Sequence, residues 1–310
     1  MKLQCLIEQY ISFRQSLGST FRSSAAVLRA FGRSRDARAK VANVRPQHVS
    51  TFLGKNRLAA KTWFGYFFDL KLFFQYAVSR GYITVAPLPT ILPKKPPQFV
   101  PYIYAIEELC RLLKVVGASR RKSILEPATI QAMILTYYGA ALRLHEAINL
   151  TCADVDLGQS LLTIRDTKFG KTRLVPIGTQ LTQVLVQYDR TRPKHRQTDA
   201  PFFATSAGNF VNCVTLQQNF RILCNLAGIR RTDTRQQPRI HDLRHTFAVH
   251  RLTSWYQQGA NVQRLLHHLS VYLGHANLQS TQVYLSMTPE LLREASNRFE
   301  HYAGKEQYHA

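Results

Sequence analysis

The sequence predicts a mainly helical protein in two parts, a four-helix bundle followed by a larger helical domain that carries one small β-hairpin. Three observations support this. Apolar residues recur at threes and fours through residues 1 to 85, a proline cluster then forbids helix, and one later stretch has the composition of paired strands. With 310 residues, 45% apolar and 11% aromatic, the chain can bury two cores and is not disordered in composition.

Leu3, Leu6, Ile7, Tyr10, Ile11, Phe13 and Leu17 set out a first helix that ends at Gly18. Ala25 to Phe31 forms a second, and Pro46 opens a third through Val49–Leu53. Thr62 to Ser79, rich in Phe and Tyr, forms a fourth that stops at Arg80–Gly81, so the first domain spans residues 1–86. Pro87, Pro89, Pro93, Pro96, Pro97 and Pro101, with Lys94 and Lys95 among them, make residues 87–101 an extended linker. Helical spacing resumes at Ala105–Leu113, and the second domain occupies residues 102–310. Ile130 to Leu150 is a long helical stretch broken near Gly139 to Glu146. Leu161–Asp166 and Thr172–Ile177 flank a hairpin tip at Gly170. After Pro289, Leu291, Leu292, Ala295, Phe299 and Tyr302 form an apolar stripe suited to docking on this domain or on a neighbouring protomer.

Charge narrows the partner. The chain carries 41 Lys and Arg against 18 Asp and Glu, a net +23. Residues 1–100 alone hold 16 basic and 3 acidic side chains, with Arg22, Arg29, Arg33, Arg35, Arg38, Lys40 and Arg45 in one segment. Such an excess attracts a polyanion, so nucleic acid is the first partner to consider and a membrane surface the second. No apolar run approaches the roughly 20 residues of a spanning helix, and the N-terminus lacks a signal-peptide core. Five scattered cysteines, Cys5, Cys110, Cys152, Cys213 and Cys224, fit a reduced, cytoplasmic protein.

The chemistry concentrates late in the chain. His241, Arg244 and His245 fall at i, i+3 and i+4, so on a helix they share a face, and a guanidinium there presents a fork of donors to phosphate oxygens. Local capping by the two histidines is the competing reading. Zinc is disfavoured, because Asp242 rather than Glu follows the first His and no third ligand or Cys-x-x-Cys is near. Arg143 and Glu146 are three apart, either a surface pair or a carboxylate that fixes its neighbours. Lys168 sits on the hairpin, able to reach a site or to stay in solvent. Tyr256, Tyr272 and Tyr302 lie in helical, apolar surroundings and read as packing residues.

Together these pieces become specific. Arg143 in Ala-Leu-Arg-Leu-His-Glu, Lys168 before Gly-Lys-Thr-Arg-Leu-Val-Pro, His241-x-x-Arg244-His, Leu-Gly-His275 and Tyr284 closely resemble the tyrosine recombinase (phage integrase) family over residues 102 to 290. The resemblance implies a SAM-like core-binding bundle ahead of a DNA breaking-rejoining catalytic domain. It also implies a site-specific DNA recombinase of transposable-element type, working through a covalent 3′-phosphotyrosyl intermediate. Tyr284 is then the nucleophile, Arg143 and Arg244 the phosphate clamp, Lys168 the acid for the leaving 5′ oxygen, and His241 and His275 the phosphate-bonding or proton-moving groups. Glu146 takes a supporting place. The family needs no metal or nucleotide cofactor, and its partners are double-stranded recombination sites, bound as a homotetramer, in some cases with companion recombinases, in the bacterial nucleoid. Alternatives are a type IB topoisomerase-like enzyme or a DNA-binding regulator without catalysis. Two departures stand out: Ala140–Ala141 replaces the common Thr-Gly, and Trp255 to His268 lengthens the connection between Arg244 and His275.

Overall fold

Apolar spacing at threes and fours builds four helices in the first unit of the computed structural model: α1 (Leu3–Ser16), α2 (Arg22–Arg33), α3 (Pro46–Gly54) and α4 (Ala60–Ser79). The structure describes residues 1–18, 20–54, 58–95, 99–119, 123–165, 172–192, 198–233, 235–275 and 277–286, with 292, 293 and 296. The chain divides into Met1–Phe99 and Val100–Ala310. In the first unit, Leu6, Ile7 and Ile11 of α1 meet Leu28 and Phe31 of α2 and Leu70, Phe73 and Phe74 of α4 in one core. Each such side chain contributes roughly 1.5–3 kcal/mol by leaving water. Pro46 stands at the first position of α3, where its missing N–H costs nothing. On the surface Arg29 grips Glu8 through two 2.8 Å bonds.

The second unit is built on α6 (Pro127–Gly139), which is buried on nearly every side, through Ile130, Met133, Ile134, Thr136 and Tyr137 among others. That all-round burial explains its continuous apolar sequence. Around it stand α5 (Ile106–Ala118), α7 (Leu144–Ile148), α8 (Thr179–Thr191), α9 (Cys213–Leu226) and α10 (Asp242–Gln257). The break expected in the Ile130–Leu150 stretch falls at residues 140–143, between α6 and α7. Neither α8 nor α9 is evident from the sequence. Their buried stripes, Leu181–Leu185–Tyr188 and Leu216–Phe220–Leu223, are narrow, and the Thr and Asn residues among them are weak helix formers.

The expected hairpin gains a third strand. β1 (Val155–Asp156), β2 (Leu161–Ile164) and β3 (Arg173–Pro176) form an antiparallel sheet in the order β1-β2-β3, with Leu162 opposite Val175 and Ile164 opposite Arg173. Leu162, Ile164 and Val175 face the core, which fixes the register. The hairpin tip, with Lys168 and Gly170, lies outside the described residues.

A further core joins α10 to α11 (Val262–Leu273) through Ala248, Val249, Leu252, Leu266, Leu269 and Leu273, with Tyr284 in the same cluster. The long connection after Arg244 is absorbed by α10 running to Gln257 and by a turn with Gly259 at φ +68° before α11. After α11 come a short helix, α12 (Gln279–Gln282), and one 3₁₀ turn, Val283–Ser286. Of the tail stripe only Leu292 is described, and it is exposed; Leu291, Ala295, Phe299 and Tyr302 lie outside the described residues. No described helix is long and apolar enough to cross a membrane.

Candidate active site

Two arginines from different elements meet on one carboxylate. Glu146, in the first turn of α7, accepts the backbone N–H of Arg143 at 2.8 Å and its guanidinium at 2.8 Å. From β3, Arg173 adds two more 2.8 Å bonds to the same carboxylate. Burial pushes this carboxyl upward, but the bonds from Arg173 and then Arg143 prevail and hold it down at about 2. Arg143 also donates to the carbonyl of Gly274 at the end of α11. Glu146 therefore fixes nearby groups, and the surface-pair reading of Arg143 and Glu146 fails: the Glu146 side chain is only 8% exposed.

Arg244 comes up from the first turns of α10 and is 2% exposed. It donates to the carbonyls of Ala141, at 2.6 Å, and Leu273. Ala141 adopts φ +50°, a left-handed conformation that costs a residue with a Cβ about 1–2 kcal/mol. That geometry belongs to the sequence position where the resemblance expects glycine. Burial, with Arg143 nearby, lowers the Arg244 guanidinium to about 10, which leaves it cationic at neutral pH.

Gly274, at φ +65°, ends α11 and turns the chain so that His275 and the 3₁₀ turn fold back over α10. His275 is fixed by a 2.8 Å bond between Nδ1 and Thr281 Oγ1, and its ring lies nearly parallel to that of Tyr284, 6.2 Å away. Tyr284 is 2% exposed. Its hydroxyl is 3.0 Å from Nδ1 of His245. Burial raises the phenol above its ordinary 10, against the pull of Arg244 and Arg143. The three imidazoles move the other way: burial first, then the neighbouring cations, lower His241 to about 4, His245 to about 3 and His275 to about 4.

Of the residues picked out by sequence, Arg143, Arg244, His241, His275 and Tyr284 thus gather in one place, within a single chain. Lys168 lies outside the described residues. Arg173 is not singled out by sequence, and His245 is named there only for sharing a helix face with His241 and Arg244. Arg173 shares Glu146 with Arg143 from 27 positions away, and nothing local announces that pairing. The phenol partner of His245 stands 39 positions on. Arg143, Glu146 and His241 line a cleft of about 1070 Å³ whose other walls include Gln217, Gln218, Arg221 and Arg239. Such a cleft, with the guanidinium groups of Arg143, Arg221 and Arg239 in its walls, suits an anionic strand.

Comparison with known proteins agrees. The Phage integrase family profile matches residues 107–290. The Sinorhizobium fredii protein y4rB, which carries an integrase/recombinase name, is 34% identical over 95% of this chain and 96% of its own length. Tyrosine recombinase XerC of Rhizobium meliloti is 30% identical over 82% of this chain and 76% of its own. Among solved structures, the Tn1549 transposon integrase in complex with a circular intermediate DNA superposes with a TM-score of 0.71 at 17% identity, covering 96% of this chain and 99% of that one. A lambda integrase dimer bound to a COC′ core site gives 0.65 at 15%, covering 90% and 96%.

Proposed function

From the premise that the chain belongs to the phage integrase family, and is a tyrosine recombinase acting in site-specific DNA recombination, we propose that Tyr284 is its nucleophile. The phenol oxygen attacks the scissile phosphorus, a 3′-phosphotyrosyl bond forms, and the bond to the 5′ oxygen breaks. Because the ester conserves the phosphodiester, a 5′-hydroxyl from another strand reverses the step without nucleotide energy.

Arg143 and Arg244 take the non-bridging oxygens, whose charge grows in the transition state. A guanidinium has five N–H donors. Arg244 directs two of its N–H groups at the carbonyls of Ala141 and Leu273, and this fixes where the rest point. Glu146 and the Gly274 carbonyl hold Arg143 in the same way. Lys168 protonates the departing 5′ oxygen, while His241 and His275, neutral near pH 7, hydrogen-bond the phosphate. The N-terminal helical unit, with its Arg22–Arg45 run, grips the duplex backbone, and four protomers pair two duplexes, alone or with a companion recombinase.

The observation that carries the assignment is the placement of the Tyr284 hydroxyl between His245 and Arg244 in its own chain. A nicked suicide duplex bearing the chain's own recombination site tests it. Wild type accumulates a covalent protein–DNA adduct; Tyr284→Phe, folded and still binding the duplex, forms none. An undiminished adduct in that variant rules out Tyr284.

A further inference from the structure

Tyr284 is buried, and burial raises the phenol's hold on its proton, so a protein group touching the oxygen is the candidate to receive that proton as it attacks phosphorus. The surroundings narrow the choice. Nδ1 of His275 is engaged by Thr281, and its ring lies nearly parallel to that of Tyr284 with the centroids 6.2 Å apart. The His241 ring meets the His245 ring edge-on at 5.1 Å and opens on the cleft. Arg244 is cationic, and a cation cannot act as a base. Nδ1 of His245 stands 3.0 Å from the phenol oxygen, in reach for direct transfer.

We infer that His245 is a further catalytic residue, the base that takes the proton of Tyr284 during cleavage and returns it during rejoining. The inference rests on Tyr284 being the nucleophile. In the cleavage step the Tyr284 oxygen bonds to phosphorus, its proton passes to Nδ1 of His245, the bond from phosphorus to the 5′ oxygen breaks, and the acid assigned to Lys168 protonates that oxygen. Charge balances: one imidazolium appears as one ammonium is discharged, and the diester stays singly negative.

The groups facing His245 make this base conditional. His241, Arg244 and Arg239 from its own helix and the segment before it, and His275 from beyond α11, all disfavour a positive imidazole, and burial does so most. The free protein therefore keeps His245 neutral, and in the tautomer with the proton on Nε2 its Nδ1 accepts from the phenol. A scissile phosphate held by Arg143 and Arg244 offsets part of that positive field. Proton transfer is then easiest when DNA is in place, which protects the nucleophile from premature ionisation.

The test is single-turnover cleavage of the nicked suicide duplex by the full chain, measured across pH for wild type, His245→Ala and His245→Gln. Glutamine can still accept a hydrogen bond from the phenol but cannot carry its proton. Both variants should cleave about a hundredfold or more slowly at pH 7, the usual scale for a lost general base. The deficit should shrink as pH rises toward the phenol range, and rejoining by an added 5′-hydroxyl strand should slow in parallel. Difluorotyrosine at position 284, a more acidic phenol, should recover most of the loss. A glutamine variant with wild-type rates and pH profile overturns the inference, as does a deficit that ignores both pH and phenol acidity. Should His245→Ala fail to fold, the glutamine and difluorotyrosine arms decide alone. A Tyr284→Phe variant that still forms adduct defeats the nucleophile assignment instead, so the two failures are told apart.

Discussion

At Glu146 one buried carboxylate organises two guanidinium groups from different elements, and its consequence for stability has a definite sign. The folded-state value, about 2, lies below the ordinary 4.5, so the stabilisation is fully present above the carboxyl's ordinary range and is lost as pH falls from about 4.5 toward 2. The shift corresponds to roughly 3 kcal/mol. Glu146→Gln should therefore lower the unfolding free energy by an amount on that order at pH 7. It should also flatten the acid limb of a stability-versus-pH curve, which urea titrations at several pH values would reveal. An acid limb unchanged in the variant would mean that Arg173 and Arg143 do not depend on this carboxylate. The sequence made Arg143 and Glu146 legible as a pair because they are three apart, and Ala141 legible as a departure. It could not show Arg173, because an ion pair spanning a helix and a strand leaves no local spacing to read.

The end of α11 does more than stop a helix. Gly274 sits at φ +65°, its carbonyl accepts Arg143, and a Cβ placed there would lie 2.9 Å from the Arg173 guanidinium carbon. The small residue thus lets β3, α7 and α11 converge on one point. Gly274→Ala should cost about 1–2 kcal/mol from the left-handed backbone alone, and more because Arg173 must leave Glu146. In an Arg173→Ala background the same substitution should cost only the backbone part, so a double-mutant cycle by denaturant melts separates the two. Equal costs in both backgrounds would deny the contact. At this scale the hairpin, the break after α6 and the helix carrying His241, Arg244 and His245 were readable from periodicity and turn residues. The third strand, two residues long, carries too little pattern to be read, and its existence depends on pairing with Leu161 and Leu162.

For the molecule as a whole, net charge should govern when protomers assemble. A chain at +23 meets copies of itself with like-signed surfaces, a repulsion that apolar docking must overcome in free solution. Duplex DNA reverses that balance by supplying about one phosphate charge per 1.7 Å of axis. The free chain should accordingly sediment as a monomer, and four-protomer particles should appear only with two site-bearing duplexes. Affinity should fall linearly with salt on logarithmic axes; if 6–10 phosphates are neutralised, the loss between 50 and 200 mM is on the order of 10³–10⁵. Replacing Arg33, Arg35 or Arg38 by Gln should reduce that slope by about one for each phosphate contact removed, equally on specific and unrelated sequences. Sedimentation velocity and salt titration of binding check both statements. A tetramer without DNA would show that protein contacts, not neutralisation by phosphate, drive assembly, and a slope unmoved by all three replacements would place the DNA-facing surface elsewhere in the chain.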